Sequence, residues 1–242
     1  MGRNLAELDL QSANVDLLSG LTTTRAIRRY KDEPIPERDL RDILFAATRG
    51  PSGSNRQTFR FVVLTDSNIA IQAKKLVASS AQKLWAEKRQ NDGYDKGSGT
   101  RLDSPKARLA KTMQEYVANL HKVPALIFPC FIRYRASTIS EGASLYPAVQ
   151  NLLLAARGLG YGGVITGFNA SIDEELKTLL KIPENVFIGA TLTLGKPVGK
   201  HGPVRRRPMQ ELVYADTWEK SPNWAIDPPG TKFTKAGPPK TN

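Results

Sequence analysis

From Ile35 to Gly195 helical and strand-like hydrophobic patterns follow one another without a linker, which excludes a string of separable small modules. The stretch from Ile35 to Gly50 places Leu40, Ile43, Leu44 and Ala47 on one helical face, with Pro36 opening it and Gly50 closing it. Phe59 to Thr65 is rich in β-formers and predicts a buried strand. Asp66 is the expected cap of a long helix reaching about Lys88. Residues 91–105, with Gly93, Gly97 and Gly99, read as an exposed loop, and a further helix runs to about Asn119. Ala125 to Ile132 predicts a strand, and Pro129 within it argues for an edge position or a bulge. Glu141 to Leu159 carries Val149, Leu152, Leu153 and Ala156 at helical spacing, stopped by Gly158 and Gly160. Tyr161–Thr166 and Phe187–Leu194 are strand-like, and Ser171 with Glu174 reads as a capping box opening the helix between them.

The ends differ in character. Asn4 to Leu21 is a short, imperfectly amphipathic segment. Residues 219–242 hold five of the 16 prolines and predict an extended tail. At 242 residues the chain can bury a substantial core, and it reads as one domain over residues 1–215 with a tail over 216–242. One cysteine, Cys130, excludes an internal disulfide and any cysteine-built cluster, and two histidines, His121 and His201, leave little for a metal site. No apolar run approaches the roughly 20 residues of a membrane span. The opening Met-Gly-Arg-Asn-Leu-Ala lacks the apolar core of an export signal, and Ala6 does not suit myristoylation, so a cytoplasmic protein is expected.

Thirty-five Lys and Arg against 23 Asp and Glu give a net charge of +12. Such a surplus admits a nucleic-acid or other anionic partner. The arginines, however, cluster in two knots, Arg25, Arg28 and Arg29, then Arg205, Arg206 and Arg207, neither interleaved with base-stacking aromatics. Guanidinium forks at this density suit one compact phosphate, although a solvated basic surface would look the same.

Common catalytic signatures are absent. Gly158 to Gly163 spells G-x-G-x-x-G, but it follows a helix and precedes a strand, the reverse of the context in which pyrophosphate meets a helix N-terminus. Gly50-Pro-Ser-Gly-Ser54 lacks the last glycine of a nucleophile elbow. With no triad or zinc constellation, any enzymatic chemistry would fall to a cofactor.

Three elements in order, Thr24-Arg-Ala-Ile-Arg-Arg-Tyr30, Pro51-Ser-Gly-Ser-Asn-Arg-Gln-Thr-Phe-Arg-Phe61, and the glycine-rich strand to Phe168 followed by Arg205-Arg-Arg-Pro208, resemble the FMN-dependent nitroreductase superfamily over about residues 15–215. The resemblance implies an α+β fold, an α/β/α three-layer sandwich on a mixed, mostly antiparallel central sheet, working as an intertwined homodimer with two FMN sites in its interface. It implies that Arg25, Ala26 and Arg28 hold the FMN phosphate and ribityl chain, joined by Arg205 and Arg207. Thr24 and Ala26 depart from the usual Arg and Ser; losing the Ser hydroxyl removes about 0.5–1.5 kcal/mol. Pro51, Ser52, Gly53 and Asn55 would reach the flavin from the other subunit, with Gln57-Thr58-Phe59 in place of the usual Gln-Pro-Trp. Ile165, Thr166 and Gly167 would run past flavin N5, with the Thr166 hydroxyl or backbone tuning it. Thr166 is equally readable as a β-former.

The resemblance further implies a ping-pong oxidoreductase using NADH or NADPH to reduce nitroaromatics or quinones, with no metal and no catalytic side chain. Reductive dehalogenation, flavin cleavage and C=C reduction stay open on the same scaffold, as does a basic anion-binding protein outside enzymes. Residues 85–122, with Trp85, Tyr94 and Tyr116, are expected to form a lid, though Trp85 could equally be core. Lys106, Arg108 and Lys111 suggest a preference for NADPH, and the tail from Met209, with Trp218 and Trp224, is expected to wrap the partner subunit.

Overall fold

The computed structural model describes residues 9–235. Residues 1–8, which include the start of the predicted amphipathic segment at Asn4, and residues 236–242 of the predicted tail lie outside them. The described helices are α1 (Leu17–Thr23), α2 (Glu37–Ala47), α3 (Asn68–Asn91), α4 (Pro105–Asn119), α5 (Gly142–Gly158) and α6 (Asp173–Leu180). The strands are β1 (Phe59–Leu64), β2 (Ala125–Ile132), β3 (Gly162–Thr166), β4 (Val186–Ile188) and β5 (Thr191–Gly195). All pairings are antiparallel, in the order β1-β2-β5-β3, with β4 also on β2.

Alternation along β2 builds the three layers. Leu126, Phe128 and Cys130 face one buried cluster, shared with α3, α4 and α6, while Ala125, Ile127 and Phe131 face another, shared with α2 and α5. Both faces being covered explains why this strand is a continuous apolar run. It also overturns the expectation for Pro129. The residue lies in a central strand, opposite Phe61 of β1, where the partner on the other side changes from β5 to β4. Gly189 N–H donates to the Pro129 carbonyl at 2.8 Å. A residue's N–H and C=O point to the same side of a strand, so the donor that proline lacks faces this break rather than a continuous ladder.

The same break divides the expected strand Phe187–Leu194 into β4 and β5. A Cβ at Gly189 would lie 2.2 Å from the Leu145 side chain, and its carbonyl accepts from the Tyr146 hydroxyl at 3.0 Å, so α5 occupies the gap. Two caps also differ from expectation. Ser67, not Asp66, caps α3, accepting from Ala70 N–H at 3.1 Å. Ser171 is turned to Ser80 of α3 (3.0 Å) and α6 starts at Asp173 with no side-chain cap.

Lys74 of α3 is buried and faces no carboxylate. Its ammonium instead donates to the carbonyls of Thr65, Val123 (2.7 Å) and Pro124 (3.3 Å), tying α3 to one end of β1 and β2. Burial lowers its pKa, with Asp66 opposing from a distance. Trp85 and Tyr116 belong to the same cluster and both are buried, which for Trp85 is the core alternative of the sequence reading. No helix among the described residues is long and apolar enough to cross a membrane.

The tightest helix contact is α2 on α5. A Cβ at Gly50 would come within 2.7 Å of the Ala148 backbone. Gly50→Ala is expected to cost about 1–3 kcal/mol by forcing the two helices apart, read as a lower urea midpoint at unchanged slope.

Candidate functional site

Four backbone hydrogen bonds bring the two arginine knots together. Ile27 N–H donates to Gly163 O of β3 (3.0 Å) and Lys31 N–H to Lys196 O (2.9 Å). Val198 N–H reaches Arg29 O (2.9 Å), and Val204 N–H reaches Thr22 O (3.0 Å). The segment after α1 thus runs against both the sheet and the chain leaving β5. Contact is close enough to require glycine at 162, where a Cβ would sit 2.5 Å from Ile27 and 3.0 Å from His201 Nε2. Arg205 follows directly on Val204, and Arg25 stands three residues after Thr22, so residues 180 apart in sequence share one edge.

Within the knots the arginines have separate fates. Arg29 is paired with Glu115 of α4 at 2.7 Å, and Arg207 is paired with Glu211 through Nε at 2.6 Å and through its Nη2. Arg25 and Arg205 are exposed and have no carboxylate partner among the described residues. Arg28 is half-buried, and its Nε has no hydrogen-bond partner. Ala26 is exposed beside them.

Beneath Arg28 the Thr193 hydroxyl on β5 contacts both Tyr30 and Tyr116 phenols at 2.8 Å, and the Tyr30 hydroxyl donates to the Ile27 carbonyl at 2.6 Å. Burial pushes the Tyr116 phenol up to about 12 and Tyr30 well above its usual value. Both are therefore neutral hydrogen-bonding groups at physiological pH. They hold the arginine segment down and leave no phenolate there for chemistry.

Ile165, Thr166 and Gly167 end β3. Ile165 is 41% exposed, and a Cβ on Gly167 would meet nothing within 4 Å, so this end of the strand opens outward. The Thr166 hydroxyl donates to Thr191 O at 3.2 Å within the sheet, which is the behaviour of a β-former. The loop Pro51, Ser52, Gly53 and Asn55 stands apart from this group. Gly53 N–H donates to Ser144 Oγ near the start of α5 (3.0 Å), and Gln57 N–H to Ser52 Oγ (3.0 Å). Ser54, Asn55 and Gln57 all have positive φ near 50°, a strained backbone for side chains of this kind. Lys106 donates to the Asp92 carbonyl (3.0 Å) and Arg108 to that of Asp103, so both are tied into the stretch joining α3 to α4. Lys111 is exposed.

Two residues join the site that no linear pattern marks. Arg157, in the last turn of α5, reaches the Thr23 hydroxyl at 3.3 Å, and His201 Nε2 lies 3.2 Å from Tyr161 O. Burial, then the nearby Arg157 charge, lowers the His201 pKa; the Tyr161 and Thr23 backbones oppose this and Arg25 adds to it. Among the described residues there is no His, Cys, Asp and Glu cluster fit for a metal.

Residues 21–196 match the Nitroreductase family, and the chain belongs to it. It is 26% identical over 214 residues to an NADH dehydrogenase of Thermus thermophilus, covering 82% of this chain and 95% of that one. It is 25% identical over 203 residues to an FMN reductase [NAD(P)H] of Bacillus subtilis, covering 84% and 74%. Nitroreductase A of Vibrio parahaemolyticus shares the fold with a TM-score of 0.62 at 20% identity, over 83% of this chain and 75% of that one.

The lowered pKa of His201 makes a stability prediction for the chain without added ligand. Below about 6.5 the unfolded chain binds a proton that the folded chain refuses, so stability falls as pH falls through the lower folded value. Urea unfolding at pH 7.5 and 5.5 is expected to show this loss, and His201→Asn to reduce it.

Proposed function

We propose that the protein is an FMN-dependent oxidoreductase that draws on NADH or NADPH and reduces nitroaromatic or quinone-type acceptors in a ping-pong cycle. The observation carrying this reading is the backbone pairing of Val204 with Thr22 and of Ile27 with Gly163, which brings the segments bearing Arg25 and Arg205, two uncommitted guanidinium groups, to the β3 edge that ends at the open Gly167. The donor set fits FMN. Exposed guanidinium forks suit a phosphate dianion, and the buried, unpartnered Arg28 Nε suits a polar atom of the ribityl chain or ring. The names of the Bacillus subtilis and Thermus thermophilus relatives support both the flavin and the nicotinamide.

FMN, when bound, would supply hydride-transfer redox chemistry between a nicotinamide and an acceptor. This chain's residues bind and orient. Arg25, Ala26, Arg28, Arg205 and Arg207 border the phosphate and ribityl chain, with Arg207 also held by Glu211. Ile165, Thr166 and Gly167 would hold the flavin ring; because the Thr166 hydroxyl is engaged in the sheet, any hydrogen bond tuning the ring would come from the backbone here. No side chain is assigned a proton-transfer step, and catalysis rests on positioning. In the same reading the exposed stretch 92–104, rather than Trp85 or Tyr116, covers the substrate pocket, and the protein works in the cytoplasm.

A homodimer belongs to this proposal. Of Pro51, Ser52, Gly53 and Asn55, Gly53 bonds to α5 while Ser52 and Asn55 bond within their own loop, away from the arginine segments, so the loop would serve the flavin of a second copy. An apolar groove of about 770 Å³, walled by Leu17, Phe45, Ala46, Leu154 and Leu159, is the surface such a copy would cover. Leu17 and Leu18 are about 70% exposed beside it.

The purified protein is expected to show a flavin absorption spectrum that bleaches with NAD(P)H and returns with a nitroaromatic or quinone; a colourless protein that cannot be loaded with FMN would refute the assignment. Arg25→Ala or Arg205→Ala should weaken FMN about ten- to hundredfold, the worth of a charged hydrogen bond. Leu17→Asp with Leu18→Asp should halve the mass by light scattering and release the flavin.

A further inference from the structure

Behind Arg25 the site has an inner layer that the exposed arginines do not account for. Arg157, at the end of α5, bonds to Thr23 in the last turn of α1, and His201, from the chain between β5 and Arg205, bonds to Tyr161 just before β3. Each has a buried nitrogen without a hydrogen-bond partner, Arg157 Nε and His201 Nδ1. Thr23 presents its backbone to the His201 ring, but outside hydrogen-bonding geometry for Nδ1. Arg25 Nη1 lies 4.0 Å from where a Cβ would stand on Gly202, the residue after His201. Three cationic or proton-accepting side chains from three separate stretches therefore converge, and no carboxylate is among the groups acting on His201.

Buried polar atoms are nearly always paired, and two unpaired nitrogens on residues that influence one another's charge are a discrepancy that a ligand would resolve. With Nε2–H donating to Tyr161 O, neutral His201 leaves Nδ1 an unfilled acceptor, in the field of the Arg157 and Arg25 charges and beside the Thr23 backbone. A neutral ligand donor could fill it. An anion fits better, because it would offset the two guanidinium charges and accept from a protonated Nδ1 as well as from Arg157 Nε.

We propose that Arg157 and His201 form the buried inner wall of the phosphate site, His201 taking a proton from solvent onto Nδ1 as the phosphate arrives and donating it in a hydrogen bond. The inference rests on the FMN assignment and extends it to two residues outside the two arginine knots. It makes cofactor loading proton-linked. Arg25 and Arg157 disfavour the imidazolium while the site holds no anion; Tyr161 and Thr23 carbonyls favour it, and the phosphate charge decides the balance.

The test compares FMN with riboflavin, which lacks the phosphate, by fluorescence titration of the full chain freed of flavin, at pH 6.5 to 8.5. Calorimetry in buffers of different ionisation enthalpy counts protons directly on the wild type. Wild-type affinity for FMN is expected to rise as pH falls, by up to about tenfold per unit, with proton uptake on binding. His201→Asn should abolish the uptake that exceeds the phosphate's own ionisation near pH 6, and lower the FMN-to-riboflavin affinity ratio about tenfold. Arg157→Met should lower the ratio similarly. Riboflavin binding should be the same in all three proteins, which separates a phosphate contact from general loosening.

Variants that keep the wild-type ratio and proton count overturn the inference while the flavin assignment stands. Should His201→Asn and Arg157→Met fail to fold, absence of proton uptake by the wild type overturns it by itself. A wild type that takes up neither flavin overturns the cofactor assignment and this inference together.

Discussion

The pairing of the segment after α1 with the chain leaving β5 is the constraint on which the rest of the site depends. Four backbone hydrogen bonds at 2.9–3.0 Å fix it, with one of them placed on β3 itself. Without them Arg25 and Arg205 would sit on unrelated surface segments. The glycine at 162 permits the approach, and the Tyr30–Thr193–Tyr116 hydroxyls anchor it from below. Such an anchor suits a binding edge, because a charged segment held only by side-chain ion pairs would be screened and mobile. Backbone bonds and buried phenols leave the arginine side chains free for a ligand.

The distribution of pairing among the arginines extends that logic. Arg29 and Arg207 meet Glu115 and Glu211, which fixes their guanidinium planes at the borders of the edge. Arg25 and Arg205 are left uncommitted between them. A site made wholly of unpaired arginines would repel itself, and one made wholly of ion pairs would have nothing left to offer an anion. The strained loop at Ser54 to Gln57 follows the same economy on the other side of the chain, its backbone held by Ser52 and Ser144 rather than by regular structure.

Much of the fold was legible because periodicity reports burial. The faces of α2 and α5 and the strands β1 and β2 follow directly from where their apolar residues fall. The misreadings share a cause, which is that tertiary neighbours decide what local chemistry does. Ser171 has the spacing of a cap but finds Ser80 instead. Pro129 violates the rule for a central strand only if its neighbours are continuous, and they are not. Phe187 to Leu194 reads as one strand because nothing in its composition reveals that Leu145 and Tyr146 need the space at Gly189. For the site, the arginine knots stand out by charge, and the ordered motifs carry the family. Arg157 and His201 do not, since each looks ordinary until the fold brings one to Thr23 and the other to Tyr161.

Pro129 also acts as a register mark. In an antiparallel sheet a slip by two residues keeps every side chain on its proper face, so the hydrophobic pattern alone does not forbid it. Such a slip of β4 and β5 along β2 would move the break away from the one residue that lacks a donor, and set a ladder carbonyl opposite it. The cost of that unmatched carbonyl separates the native alignment from its nearest competitor. A residue that weakens a strand by ordinary rules thereby serves as the fixed point from which β5, β3 and the arginine edge are measured.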